Sequence, residues 1–320
     1  MKQAIKDDKL RTIVQVARLY YERDMSQQAI ADKLGVSRSL IARYLQQSKE
    51  LGIVKVQVSD PRESSGDLSE KLRMRFDLEH VEVLPNAHAS PALTLQDAAH
   101  AAASYFADNV QDGEQVGLAW GRSIKSFVDQ LPGQKITATD VGVTPLMGES
   151  SNPRLYSRMN ELVEQMAGTV SAEPRFLFYP VMVDSKSLYL RIIQEPALVE
   201  VDRAWDALDW AFVGIGATPP TEGMAVYVAE QHLPALQKTA ATGDICCHYF
   251  DEDGRYVKTP FRERIIGASI EQLERAELVV AVATGKEKVR AVRGALNTGL
   301  IGALFVDQAL AEAVLDGIDD

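Results

Sequence analysis

Gln115-Val116-Gly117-Leu118-Ala119-Trp120-Gly121-Arg122-Ser123-Ile124 carries the pattern on which the fold of this chain turns. Gln115 to Ala119 reads as a buried strand, Trp120 to Arg122 as a glycine-bearing loop, and Ile124 to Leu131 as a helix. A strand passing through a short loop into a helix start gathers backbone N–H groups around one point, with the Ser123 hydroxyl and the Arg122 guanidinium beside them. Such a point suits an anionic phosphate, although the same pattern also fits a plain tight turn.

Moving outward, the unit recurs. Strands at Val81 to Leu84, Ala211 to Ile215, Leu278 to Ala283 and Leu300 to Val306 alternate with helices around Leu95 to Val110, Leu155 to Met166, Leu233 to Ala240 and Lys286 to Asn297. This alternation predicts an α/β domain whose doubly wound, mostly parallel sheet carries helices on both faces. A second glycine loop follows a strand at Val213-Gly214-Ile215-Gly216, and a third lies at Thr284-Gly285-Lys286-Glu287-Lys288. Lysines in a first helical turn oppose the helix dipole by ~0.3 to 1 kcal/mol each, a conflict that an anion between them would relieve. Two solvated surface lysines are the plainer alternative. Gly243 to Phe250 reads as one strand leading into a turn at Asp251 to Gly254. Asp244 at its start is a lone carboxylate among apolar neighbours, an acceptor suited to sugar hydroxyls, whereas His248 reads as an ordinary strand histidine.

Residues 1–60 have a different texture. Ile13, Val16, Ala17 and Tyr20 recur at helical spacing; Ser26 caps a second helix bearing Ile30, Ala31 and Leu34; Gly35 breaks it; Ser37 caps a third. The string from Gln27 to Leu45 is a helix-turn-helix pattern, with Ala31 where two helices cross and Gly35 at the left-handed turn. Leu40, Ile41, Tyr44 and Leu45 share one face of the last helix, leaving Arg38, Ser39, Arg43 and Gln46 for a DNA groove. Ser26, Gln27 and Ser37 complete the expected DNA-binding set. Ile53 to Val58 alternates like an edge strand and would form either a wing or a strand that merely packs against the helices. Pro, Gly, Ser and charge from Asp60 to Gly66 read as a linker. The expected division is therefore 1–59 for DNA binding, 60–66 for the linker, and 67–320 for effector binding and oligomerisation.

Composition agrees with this division. The 320 residues suggest about two domains, and 46% apolar with 25% charged residues is ordinary for a globular chain. Its apolar runs fall short of the ~18 residues of a membrane span, and the charged start lacks the core of a signal peptide, so a cytoplasmic protein with no membrane partner is expected. Cys246 and Cys247, the two cysteines, are adjacent, which excludes a disulfide framework and supplies too few ligands for zinc. A net charge of −11 would argue against phosphate binding on DNA if it were spread evenly. It is segregated: residues 1–60 hold 11 Lys and Arg against 7 Asp and Glu, and the other 260 hold 23 against 38. A small basic module thus precedes a larger acidic body.

In the order of these features the chain resembles the SorC-type (SorC/DeoR) sugar-binding transcriptional regulators, over nearly its whole length. The resemblance implies a body similar to the glucosamine-6-phosphate deaminase and ribose-5-phosphate isomerase fold that binds a phosphorylated sugar without processing it. By position it implies Trp120, Gly121, Arg122 and Ser123 as the phosphate loop, Gly214 and Gly216 as the second loop, Asp244 as a hydroxyl-binding carboxylate, and Gly285 with Lys288 as the remaining phosphate contact. Thr284 stands where the family more often has glycine. The implied partners are double-stranded operator DNA and a phosphorylated sugar, and the implied assembly is a homotetramer, a dimer of dimers. The competing expectation is an active sugar-phosphate isomerase or deaminase fused to a DNA-binding module. No acid/base pair stands beside the loops to support it, so neither an enzyme, a cofactor nor a metal is expected.

Overall fold

The computed structural model describes residues 7–23, 25–54, 65–86, 88, 90–149, 158–218 and 233–316. The chain divides between Arg62 and Glu63 into two compact units.

The first unit holds three helices: α1 (Asp7–Tyr21), α2 (Gln27–Leu34) and α3 (Arg38–Glu50). Ser26 Oγ accepts the Ala29 N–H at 3.2 Å and Ser37 Oγ accepts the Leu40 N–H at 3.3 Å, so each helix starts where its cap residue stands. Gly35 ends α2 at φ +66°, a left-handed conformation that its lack of a Cβ makes inexpensive. Val16, Leu19, Ile30, Ala31, Ile41 and Leu45 form the core of the unit. The expected wing fares differently. Residues 55–58 lie outside the described residues, and Val54 is not in a strand: its N–H returns to the Ser48 carbonyl at the end of α3.

The second unit begins with α4 (Ser65–Phe76), so Ser65 and Gly66, expected in the linker, are helical; residues 60–64 lie outside the described set. A seven-stranded sheet follows, in the order β1 (His80–Leu84), β10 (Ala303–Asp307), β9 (Leu278–Ala283), β5 (Trp210–Val213), β2 (Gln115–Leu118), β3 (Gly142–Pro145) and β4 (Glu173–Pro174). Every pairing in it is parallel. All six residues of β9 are buried, as a strand covered on both faces requires. Helices α5 (Pro91–Asn109), α6 (Arg122–Gln130), α7 (Met159–Val170), α12 (Val289–Asn297) and α13 (Gln308–Leu315) connect and cover the sheet, with α8 (Lys186–Ile192), α9 (Pro196–Trp205), α10 (Leu233–Leu236) and α11 (Ile270–Arg275) between them. Ala98, Ala99, Ala102 and Ala103 are buried along α5 and let it approach closely, while Phe127 of α6 stacks on Phe212 of β5 at 4.1 Å.

From β2 the chain proceeds outward through β3 to β4, and from β5 it proceeds the other way through β9 to β10. The direction reverses between the neighbours β5 and β2, and at such a switch point the loops leaving the carboxyl ends of the strands separate into a crevice.

Three local expectations change. The helix expected over Leu233 to Ala240 stops at Leu236. The helix expected from Leu155 is α7, starting at Met159, with residues 155–157 outside the described set. The single strand expected from Gly243 to Phe250 is a hairpin, β7 (Gly243–Ile245) and β8 (His248–Phe250), turning at Cys246 and Cys247 with φ +50° and +63°. Two successive positive φ values make the tight reversal that joins twisted antiparallel strands, here without the usual Gly or Asn. The turn expected at Asp251 to Gly254 follows it, with Gly254 at φ +83°.

Candidate functional site

The glycine loops leave three adjacent strands. Gly121, at φ +122°, precedes α6 after β2; Gly214 follows β5; Thr284 and Gly285 follow β9. A Cβ at Gly214 would stand 3.6 Å from the Trp120 carbonyl, so the first two loops touch. Arg122 and Ser123 open α6, with Arg122 exposed and Ser123 buried. No side chain caps the first turn of α6, among the described residues. A helix start left without a cap among the described residues suits an anionic ligand.

Asp244 reaches this edge through the small antiparallel sheet in which β7 pairs with β6 (Gly216–Ala217) and β8. Asp244 has Gly216 opposite it on one side and Tyr249 on the other. The small sheet rests on α12: a Cβ at Gly243 would lie 2.9 Å from that of Ala291, and one at Gly294 would lie 2.9 Å from the Phe250 ring. Because α12 begins immediately after Lys288, this packing brings Asp244 and Lys288 to the same end of the helix.

The third loop differs from the expected α-helical first turn. Lys286–Lys288 form a 3₁₀ turn after Gly285, and α12 starts at Val289 with Lys288 as its cap residue. Gly285 stands at φ +97°, where a side chain would be strained, and its N–H donates to Asp307 Oδ2 at 2.8 Å. The Glu287 carboxylate folds back against Gly285, so that a Cβ there would clash with Oε1.

Electrostatics ties the pieces together. Burial pushes the half-buried Lys288 below the usual lysine range, and the charge of Arg122 pushes it further, while Glu287 and Asp244 act in the opposite sense. Burial lifts Asp244 to about 6 against two opposing influences, the Cys247 N–H that it accepts and the charge of Lys288. Arg122, exposed at the start of α6, and the half-buried Lys288, 166 residues apart in sequence, thus act on one another electrostatically, with Asp244 and Glu287 as the carboxylates that act on Lys288 in the opposite sense. Two like charges near one another, one of them partly desolvated, favour the binding of an anion. A phosphate meets that need, and Asp244 remains for hydroxyl groups.

Burial also raises the Cys246, Cys247 and Tyr249 side chains, which stay protonated and serve as packing. His248 Nε2 lies 2.8 Å from the Ala268 carbonyl, as an ordinary structural histidine would. Asp307 and Glu287 are absent from the set that spacing alone singles out. Asp307 had a readable signal: an Asp between a strand and a helix is a favoured N-cap.

In the first unit Arg38, Ser39, Arg43 and Gln46 are exposed on α3. Ser37 and Ser39 place their hydroxyls 3.0 Å apart, and Gln46 Nε2 donates to Glu50 at 3.2 Å. Ser26 and Gln27 stand at the start of α2, where the Ser26 hydroxyl is engaged as a cap and Gln27 is half-buried.

A three-helix unit exposing arginines at the start of its last helix, joined to a parallel α/β body with an anion-ready crevice, defines a ligand-responsive DNA-binding regulator. Residues 60–316 match the family described as "Putative sugar-binding domain". The chain belongs to this family, the SorC-type sugar-binding transcriptional regulators. It is 30% identical over 313 residues to the sorbitol operon regulator of Klebsiella pneumoniae, covering 96% of this chain and 98% of that protein. It is 28% identical to the deoxyribonucleoside regulator of Bacillus subtilis, covering 97% and 99%. The crystal structure of full-length SorC from Klebsiella pneumoniae matches it with a TM-score of 0.84 at 28% identity, over 97% of this chain and 100% of that one. The chain is accordingly a sugar-responsive transcriptional regulator and not an enzyme. Among the described residues, no helix is long and apolar enough to cross a membrane.

Proposed function

We propose that a phosphorylated sugar, bound at the carboxyl edge of the sheet, controls the affinity of this protein for operator DNA of a carbohydrate-metabolism operon in the cytoplasm. The observation that carries the reading is the convergence of the loops after β2, β5 and β9 on one sheet edge, where the half-buried Lys288 feels the charges of Arg122 and Asp244. Phosphate binds between the start of α6, with Gly121 and Ser123, and the Gly285–Lys288 turn. Gly214 and Gly216 let the ligand approach the backbone, and Asp244 accepts from its hydroxyls. Residues 1–59 read DNA through Arg38, Ser39, Arg43 and Gln46, with Ser26, Gln27 and Ser37 near the phosphate backbone, and residues 67–320 bind effector and self-associate. A homotetramer, a dimer of dimers, suits operators with two-fold symmetric half-sites.

Calorimetry with sorbitol 6-phosphate, fructose 6-phosphate and 2-deoxyribose 5-phosphate, each against its dephosphorylated counterpart, tests the ligand. At least one phosphorylated sugar is expected to bind and to shift operator affinity. Equal binding of every phosphorylated and neutral partner would defeat the reading.

On the DNA side, an Arg38→Ala or Arg43→Ala change that removes a bidentate base contact is expected to cost ~1 to 3 kcal/mol and relax specificity at one position. One that removes a phosphate contact weakens all sequences alike and flattens the salt dependence. Titration against operator and random DNA at several salt concentrations separates the two. Unchanged affinity in both variants would take α3 out of the groove.

Asp244 provides a pH signature. Its carboxyl titrates higher in the folded chain, at about 6, than the ordinary value of 3.8. Folding therefore favours its protonated form, and its contribution to stability is full below about 4 and lost as the pH rises through about 6. In thermal unfolding from pH 4 to 7.5, Asp244→Asn is expected to gain on the wild type as the pH rises. A pH-independent difference would mean that Asp244 is not desolvated.

A further inference from the structure

Asp307 ends β10, and the register that pairs Val306 with Ala283 puts it beside the loop leaving β9. The residue is 4% exposed, and both of its carboxylate oxygens are engaged by backbone. Oδ2 accepts the Gly285 N–H at 2.8 Å, and Oδ1 accepts the Leu310 N–H at 3.2 Å, in the first turn of α13. We propose that Asp307 is the positioning residue of the effector loop: its carboxylate holds Gly285 in its left-handed conformation and thereby aims Lys288 at the ligand.

A carboxylate is required at 307 because two N–H groups approach from different elements, and a carboxylate presents acceptors on both sides. The bond to Gly285 crosses from one strand end to the next, and the following turn hangs on it, since the Lys288 N–H returns to the Gly285 carbonyl at 3.1 Å. The anchor itself is firm. Arg293 of α12 donates to the Ala313 and Val314 carbonyls at 3.1 and 3.2 Å, fixing the far end of α13 independently of Asp307. Loss of the Gly285 bond should therefore free the loop while leaving α13 in place.

The inference about affinity rests on the phosphate reading of Lys288, so the test begins with a readout that needs no ligand. Asp307→Ser keeps an N-cap hydroxyl for Leu310 but is too short to reach Gly285; Asp307→Asn keeps the size of the side chain and loses one of the two acceptors. Amide hydrogen exchange on the full-length protein is expected to quicken about 10-fold or more at Gly285 to Lys288 in Asp307→Ser, with residues 310–315 close to wild type. Asp307→Asn should fall between them and serves in place of the serine variant if that fails to fold. Calorimetry with inorganic phosphate and with the sugar phosphates above should show affinity about 10-fold lower, with operator binding in the absence of effector unmoved. Unchanged exchange in the loop overturns the proposal, as does equal quickening in the loop and α13, which would make Asp307 a helix cap only. If the wild type binds no phosphorylated sugar, the phosphate reading fails and the exchange result still decides the role of Asp307.

Discussion

Replacing Lys288 with alanine is expected to weaken binding of a phosphorylated sugar by about 10 to 150-fold, because a charge-assisted hydrogen bond contributes roughly 1.5 to 3 kcal/mol. The setting favours a value at the stronger end. Lys288 is half-buried, and both desolvation and the charge of Arg122 work against its protonated form. An arriving phosphate offsets both through a charge-assisted hydrogen bond, so much of the electrostatic gain appears only on binding. The dephosphorylated sugar, held through Asp244 and the backbone, should lose little. Operator affinity without effector should also be unaffected, since Lys288 belongs to the second compact unit and the DNA-reading helix to the first. The variant would thus bind operator normally and ignore the effector. Calorimetry on wild type and variant with one phosphorylated sugar and its neutral counterpart is the decisive comparison. Equal losses for the two ligands would mean that Lys288 makes no contact with the phosphate.

Ile41→Ala is expected to have the largest effect on stability. Ile41 is 0% exposed and lies in a cluster with Val16, Leu19, Ile30, Ala31 and Leu45 that holds α1, α2 and α3 together. Truncation of a buried isoleucine costs ~2 to 5 kcal/mol, from lost transfer energy and from the cavity left behind. A unit of about 60 residues has little reserve against such a loss. Operator binding should vanish near physiological temperature, while the body keeps its fold and its effector affinity. Calorimetric unfolding is expected to show the first unit's transition lowered or absent and the second near its wild-type position. Normal operator affinity in this variant would mean that the unit tolerates the cavity or draws its stability from elsewhere.

These two residues illustrate different degrees of legibility. Ile41 could be read directly, since helical spacing puts it with Leu45 on the face opposite Arg38 and Arg43, and Ser37 and Gly35 mark the ends of the helices through contacts spanning only three or four residues. Strand β9 was equally plain, because a run of six apolar residues after a polar stretch has few other uses in an α/β chain. The reversal at Cys246 and Cys247 was hidden: its positive φ values fall on residues that carry no turn signal, and the surrounding sheet and α12 impose them. Position 307 was legible as a cap and nothing more.

Amphipathic periodicity, capping residues and the segregation of charge are local properties, and they sufficed for a basic helix-turn-helix unit ahead of an acidic α/β body with glycine loops after its strands. The location of the site is another matter. The loops bearing Arg122 and Lys288 leave one sheet edge because β2, β5 and β9 lie side by side; Asp244 joins them because β7 pairs with β6 on top of α12; Asp307 holds Gly285 because β10 pairs with β9 in one register. Those pairings depend on which buried faces pack together across separations of tens of residues. Short-range spacing carries no information about that choice, and only the folded sheet makes it.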